Sequence, residues 1–121
     1  MSHTPEIGLV LDCAEPERLA GFWAAALDYE QVGAAGSYVM LVPRQRAGPN
    51  LLLQRVAEAK AVKNRMHLDV HVPDIEAEAT RLEQLGARRV DAEPRSEHGS
   101  RWFLMVDPEG NEFCVFPERH A

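Results

Sequence analysis

The chain has 121 residues, 45% hydrophobic and 26% charged, which suits one ordinary globular domain and excludes a disordered chain. Its longest apolar runs, such as Phe103 to Val106, fall far short of the ~20 residues that cross a bilayer, and Met1 to Glu6 lacks a signal peptide's basic-then-apolar layout, so a cytoplasmic protein with no membrane partner is expected. The net charge of −6 disfavours nucleic acid, and two cysteines, Cys13 and Cys114, make neither a disulfide framework nor a CxxC pair.

In chain order, Ile7 to Leu11 reads as a short buried strand. A helix follows, with Pro16 suited to its first position and Leu19, Phe22, Trp23, Ala26 and Leu27 forming one apolar stripe. Tyr29 to Val32, Tyr38 to Val42 and Leu51 to Val56 read as three strands. Glu58 to Arg65 is the connector, part of a stretch from Arg44 to Arg65 that carries six basic residues against one acid. Such a cluster is either a solvated loop face or an attractor for an anionic ligand.

The order then restarts. Met66 to Val72 alternates polar and apolar residues. Asp74 is placed to cap a second helix whose stripe is Ile75, Ala79, Leu82 and Leu85, and Gly86 is a suitable stop. Arg88 to Asp91, Trp102 to Val106 and Glu112 to Phe116 read as strands. The polar segment Glu93 to Arg101 reads as a loop, and Asp107-Pro108-Glu109-Gly110 has the chemistry of a type I turn. An offset of about 58 or 59 residues superposes the two halves, so the expected fold is α+β. Its two βαβββ modules, about 5–57 and 65–118, pair into a cup-shaped mixed sheet within one domain over 1–121.

Period-two alternation puts His67, Asp69 and His71 on one face of their strand and Leu68, Val70 and Val72 on the other. The apolar trio is expected to meet the helix and the polar trio to line the cup or remain solvated. Asp69 beside an imidazole is the arrangement of a general base, so His67 and Asp69 are the candidate catalytic pair. Gln54, Trp102, Cys114 and Glu112 are candidate ligand-binding residues. Cys114 also reads as a small core residue, and Trp102 as a buried strand tryptophan. No GxSxG, P-loop, GxGxxG or HExxH motif is present.

Phe22-Trp23 in the first helix, His67-Leu68-Asp69-Val70, Leu85-Gly86-Ala87 and above all Asp107-Pro108-Glu109-Gly110-Asn111-Glu112-Phe113 together resemble the vicinal oxygen chelate superfamily. This group holds glyoxalase I, extradiol dioxygenases, fosfomycin-resistance enzymes and bleomycin-binding proteins, and the chain looks most like its small glyoxalase-like members. The resemblance implies a homodimer and a ligand cavity on the concave face. In metal-dependent members it also implies an ion held by first- and last-strand residues of each module. Carried over, those positions are Gly8 or Leu9, Gln54, His67 and Cys114. Only His67 matches the usual donor. A neutral amide, a thiol and a residue with no donor compensate a dication poorly, so no tightly bound metal is expected. If one is present, His67 would hold it with Gln54 and Cys114 or Glu112, or with His71 shifted by a bulge. The expected function is binding of a small oxygenated or aromatic molecule, by sequestration or metal-independent chemistry. The alternative is a metal-dependent lyase, isomerase or dioxygenase.

Overall fold

The computed structural model describes residues 6–118; the two ends of the expected 1–121 domain lie outside the described residues. The chain divides into two compact units, one up to Ala59 and the other from Lys60 onward.

The first unit contains β1 (Leu9–Cys13), α1 (Pro16–Leu27), β2 (Tyr29–Ala35), β3 (Tyr38–Pro43) and β4 (Leu51–Arg55). Its sheet order is β1-β4-β3-β2, with β1 and β4 parallel and the other pairs antiparallel. The strand expected from Ile7 starts instead at Leu9, whose N–H donates to the Asn50 carbonyl at 3.0 Å. Ile7 remains 75% exposed. Pro16 opens α1 as expected, since its missing N–H would have no partner in the first turn. The helix buries Leu19, Ala20, Phe22, Trp23 and Ala26, and the sheet buries Val39, Leu41, Leu51 and Leu53. The Phe22 and Trp23 rings meet edge to face at 5.0 Å.

The second unit contains β5 (Leu68–Val72), α2 (Ile75–Leu85), β6 (Arg88–Arg89), β7 (Arg95–Glu97), β8 (Ser100–Val106) and β9 (Glu112–Pro117). The sheet runs β5-β9-β8-β6, with β7 also on β8. Strands β5 and β9 are parallel; β8 is antiparallel to β9, β6 and β7. The segment expected to be a loop from Glu93 to Arg101 therefore holds a strand. β7 and the start of β8 form a tight hairpin across His98 and Gly99, both at positive φ. The connector takes no regular structure from Glu58 to His67.

Asp74 caps α2 as its sequence position suggests, its Oδ1 accepting from the Ala77 N–H at 3.1 Å. Gly86 ends the helix at φ 120°, a conformation a side chain resists, and an added Cβ would meet Pro108 at 3.3 Å. Ile75, Ala79 and Leu82 are buried, while Leu85, expected on the same stripe, is 37% exposed. The helix packs on β6, β8 and β9, where Phe103, Met105, Phe113 and Val115 are each at most 1% exposed. These residues share one face by register, Phe103 opposite Val115 and Met105 opposite Phe113. The side chains between them, Trp102, Leu104, Cys114 and Phe116, take the face away from α2.

Three of the six basic residues in the stretch make ion pairs within their own unit. Arg44 faces Asp28 and Glu30 at 3.5 and 3.8 Å, Arg55 faces Glu17 at 3.2 Å, and Lys60 faces Glu112 at 3.1 Å. The turn from Asp107 closes as expected, with the Gly110 N–H donating to the Asp107 carbonyl at 2.9 Å. No helix among the described residues is long and apolar enough to cross a membrane.

Candidate functional site

The parallel pairing of β5 with β9 sets Asp69 directly opposite Cys114. His67 lies just before β5 begins at Leu68, two residues from Asp69. Its Nε2 stands 3.3 Å from Asp69 Oδ1, with the two side chains 39% and 41% exposed. One donor atom from each of His67, Asp69 and Cys114 falls within 4.8 Å of the other two. Three of the six residues singled out from the sequence thus come together on the sheet face away from α2.

The thiol of this cluster is the least accessible member, Cys114 being 7% exposed. Burial first, and then the Asp69 carboxylate, push its pKa above the usual thiol value, while Lys63 and Arg95 pull it the other way. At neutral pH the thiol stays protonated. Those two cations were not singled out from the sequence. Lys63 belongs to a connector with no periodicity, and Arg95 to the short strand read as a loop.

Trp102 is half-buried on the same face. Its ring stacks on Phe116 at 5.2 Å and 19°, and Phe116 stacks in turn on His71 at 5.8 Å and 29°. His71 is fixed further, because Nδ1 lies 3.0 Å from the Pro117 carbonyl oxygen. That oxygen only accepts, so Nδ1 carries the proton and Nε2 of the neutral ring is left as an acceptor. The row of three rings ends at an open groove of about 720 Å³, whose lining includes His71, Phe116, Pro73, Glu76 and Arg101. None of the six singled-out residues lines this groove.

Glu112 is committed elsewhere. Its Oε1 accepts from the Asn64 N–H at 2.8 Å and its Oε2 from Lys60 Nζ at 3.1 Å, so the carboxylate clasps the connector that leads into His67. The Asn64 bond, with help from Lys60, holds its pKa below the usual value against the opposing effect of burial. A depressed carboxyl pKa adds stability above the unfolded-state value and loses it as pH falls through the folded-state value. Unfolding free energy measured from pH 6 down to pH 3 should therefore decline less steeply in Glu112→Gln than in the parent chain. Parallel acid limbs would show that the clasp contributes nothing.

Gln54 belongs to the first unit, half-buried on β4 opposite Asp12 and Tyr38. Counting each parallel pair from its first partners, Leu9 with Leu51 and Leu68 with Phe113, the first-unit equivalent of Cys114 is Leu52. The equivalent of Asp69 is Val10, that of His67 is Gly8, and Gln54 takes the place of Phe116. The first unit holds no donor at the three matching positions.

Residues 8–116 match the family described as glyoxalase-like domain. No curated protein matches the chain by sequence. Among solved structures it is similar to a variant of the fosfomycin resistance protein FosX from Listeria monocytogenes complexed with Mn(II) and 1S,2S-dihydroxypropylphosphonic acid. The TM-score is 0.77 at 13% identity, over 98% of this chain and 93% of that one. It is also similar to FosX from Mesorhizobium loti, with a TM-score of 0.73 at 15% identity over 98% and 95% of the two chains. A glyoxalase/bleomycin resistance protein/dioxygenase family enzyme from Burkholderia phytofirmans PsJN gives 0.75 at 11% identity over 92% and 96%.

Proposed function

The chain belongs to the glyoxalase-like domain family, and from that premise we propose that it binds a small oxygenated or aromatic molecule on the β5–β9–β8 face. In this reading His67 and Asp69 handle a proton and no tightly bound metal is needed. The observation that carries the proposal is the His67–Asp69 pair at 3.3 Å, exposed on the face that α2 leaves free. A carboxylate beside one ring nitrogen orients the imidazole and leaves the other nitrogen to meet a substrate proton, the placement a general base requires. Trp102 and Phe116 supply an apolar wall beside it. A homodimer and a cytoplasmic setting belong to the same proposal.

The test is a ligand screen by thermal shift on protein kept in chelator, using small oxygenated acids, diols and phenols. A ligand at a hundredfold excess over its Kd stabilises by about 2.7 kcal/mol, which raises Tm by roughly 10 °C in a domain of this size. We expect that shift without metal, and its loss in Asp69→Asn. A ligand that binds only after a dication is restored overturns the metal-independent reading.

The second reading, a metal-dependent lyase, isomerase or dioxygenase, is favoured by the imidazole, carboxylate and thiol gathered within 4.8 Å. The relative from Listeria monocytogenes was solved with Mn(II). The donor set here fits a borderline, sulfur-tolerant ion better than a hard one that seeks six or more oxygens. His67, Asp69 and Cys114 would hold it. When bound, such an ion would supply a Lewis acid for a substrate oxygen.

A further inference from the structure

We propose that the open groove at the end of the ring row is a second ligand site, and that it takes an organic cation, a protonated amine or amidine carried on a flat apolar body. The groove lies wholly within the second unit, between the C-terminal ends of β5 and β9, the first turn of α2 and the β7–β8 hairpin. It shares no lining residue with the cluster of His67, Asp69 and Cys114, so the inference stands apart from the function proposed above.

Three observations carry it. The first is size and wall. A volume of about 720 Å³ falls within the roughly 300–1,000 Å³ of small-molecule sites, and Pro73, Phe116 and Pro117 give it an apolar lining for a flat body. The second is an acceptor held in place. His71 Nδ1 donates to the Pro117 carbonyl at 3.0 Å and the ring stacks on Phe116, which fixes both its tautomer and its plane. Nε2 is left as an acceptor with no hydrogen-bond partner among the described residues. The third is charge. Asp74, Glu76 and Glu118 line the groove against the single guanidinium of Arg101, and Glu76 already faces that guanidinium at 3.8 Å. Glu118 has no partner among the described residues.

The positive end of α2 opens on the same groove and by itself would favour an anion. That demand is met within the protein, since Asp74 Oδ1 accepts from the Ala77 N–H at 3.1 Å and Glu76 and Glu78 stand in the first turn. An anionic ligand would meet three carboxylates and find Arg101 already facing Glu76. What the groove leaves unsatisfied is acceptors, the Nε2 lone pair of His71 and the Glu118 carboxylate. The ligand that completes it therefore brings N–H donors and positive charge.

The test is a titration of the full chain with benzamidine, followed by backbone amide shifts in NMR, with benzoate as the anion of the same shape. We expect saturable binding with a Kd on the order of 1 mM, as suits a small fragment in an open groove, and the largest shifts at Ile75, Glu76, Ser100 and Arg101. Benzoate should bind there about tenfold more weakly or worse, because the charge of the lining repels it. His71→Phe keeps an aromatic ring against Phe116 but removes the acceptor, and should weaken benzamidine about tenfold. The exposed Glu118→Gln should weaken it about two- to threefold, and Asp69→Asn should leave it unchanged. Equal affinity for benzoate, shifts centred on His67 and Asp69, parent-like binding in either groove variant, or no saturation in the tens-of-millimolar range would each overturn the proposal. Should His71→Phe fail to fold, Glu118→Gln still decides it. The loss of an oxygenated ligand in Asp69→Asn is a separate outcome, so either proposal can fail alone.

Discussion

Phe103→Ala is expected to lower the stability of the second unit by about 3–5 kcal/mol, the range for truncating a buried aromatic. The Phe103 ring is 1% exposed on the face of β8 that α2 covers. The Arg89 guanidinium lies 4.5 Å above its centroid. That cation is itself held by Glu83 at 3.3 Å, Glu76 at 3.6 Å and the Thr80 hydroxyl at 3.1 Å. The truncation thus removes apolar burial and a cation–π contact at once, and leaves Arg89 without the surface it lies on. Urea denaturation should show a lower midpoint, and Phe103→Leu should recover more than half of the loss. A loss below about 1 kcal/mol for Phe103→Ala would contradict the packing of α2 on β8.

Asp107→Ala should cost a comparable amount, roughly 3 kcal/mol or more, for a different reason. The Asp107 side chain is buried, 3% exposed, and accepts from the backbone N–H groups of Glu109 and Asn111 at 2.8 and 2.9 Å. It also accepts from the Asn111 side-chain amide at 3.1 and 2.9 Å. Removing the carboxylate strands several donors in a place water reaches poorly, at about 1–3 kcal/mol each. Asp107→Asn keeps the shape and one acceptor and should fall between. Because this turn sets the register of β8 on β9, Asp107→Ala should also speed alkylation of Cys114 relative to Cys13. Equal Tm values for the three chains would show that the turn is held by its backbone alone.

Asp107 was legible as part of a turn motif, and Phe103 only as one residue of an apolar strand, before either was legible as energetics. The Asp-Pro-Glu-Gly turn, the Asp74 cap and the Gly86 stop are local chemistry, decided within four or five residues, and each occurs where the pattern places it. The two helices followed from 3.6-residue stripes for the same reason. Strand β7 escaped because Arg95, Ser96 and Glu97 are all exposed and leave no alternation. Their strand state comes from pairing with β8. In the site, period two correctly put His67 and Asp69 away from the helix. The partner of Asp69 was not readable, since the register of β5 on β9 is fixed by backbone hydrogen bonds between residues 45 apart. For the same reason Glu112, which shares the parity of Cys114, reads as a binding residue although the connector occupies it. Gln54 reads as the match of Cys114 although the register gives that place to Leu52.

Each unit is closed by a parallel pairing of its own first and last strands, β1 with β4 and β5 with β9. That pairing orders events during synthesis. A loop spanning nearly the whole unit must close before the sheet is complete, which delays folding relative to a chain of local hairpins. The first unit has every strand it needs once Arg55 has left the ribosome. The second waits for Pro117, and until β9 arrives the strand carrying Asp69 has no hydrogen-bonded neighbour. A chain truncated after residue 90 and released should therefore resist protease up to about Ala59 and be cleaved readily beyond it.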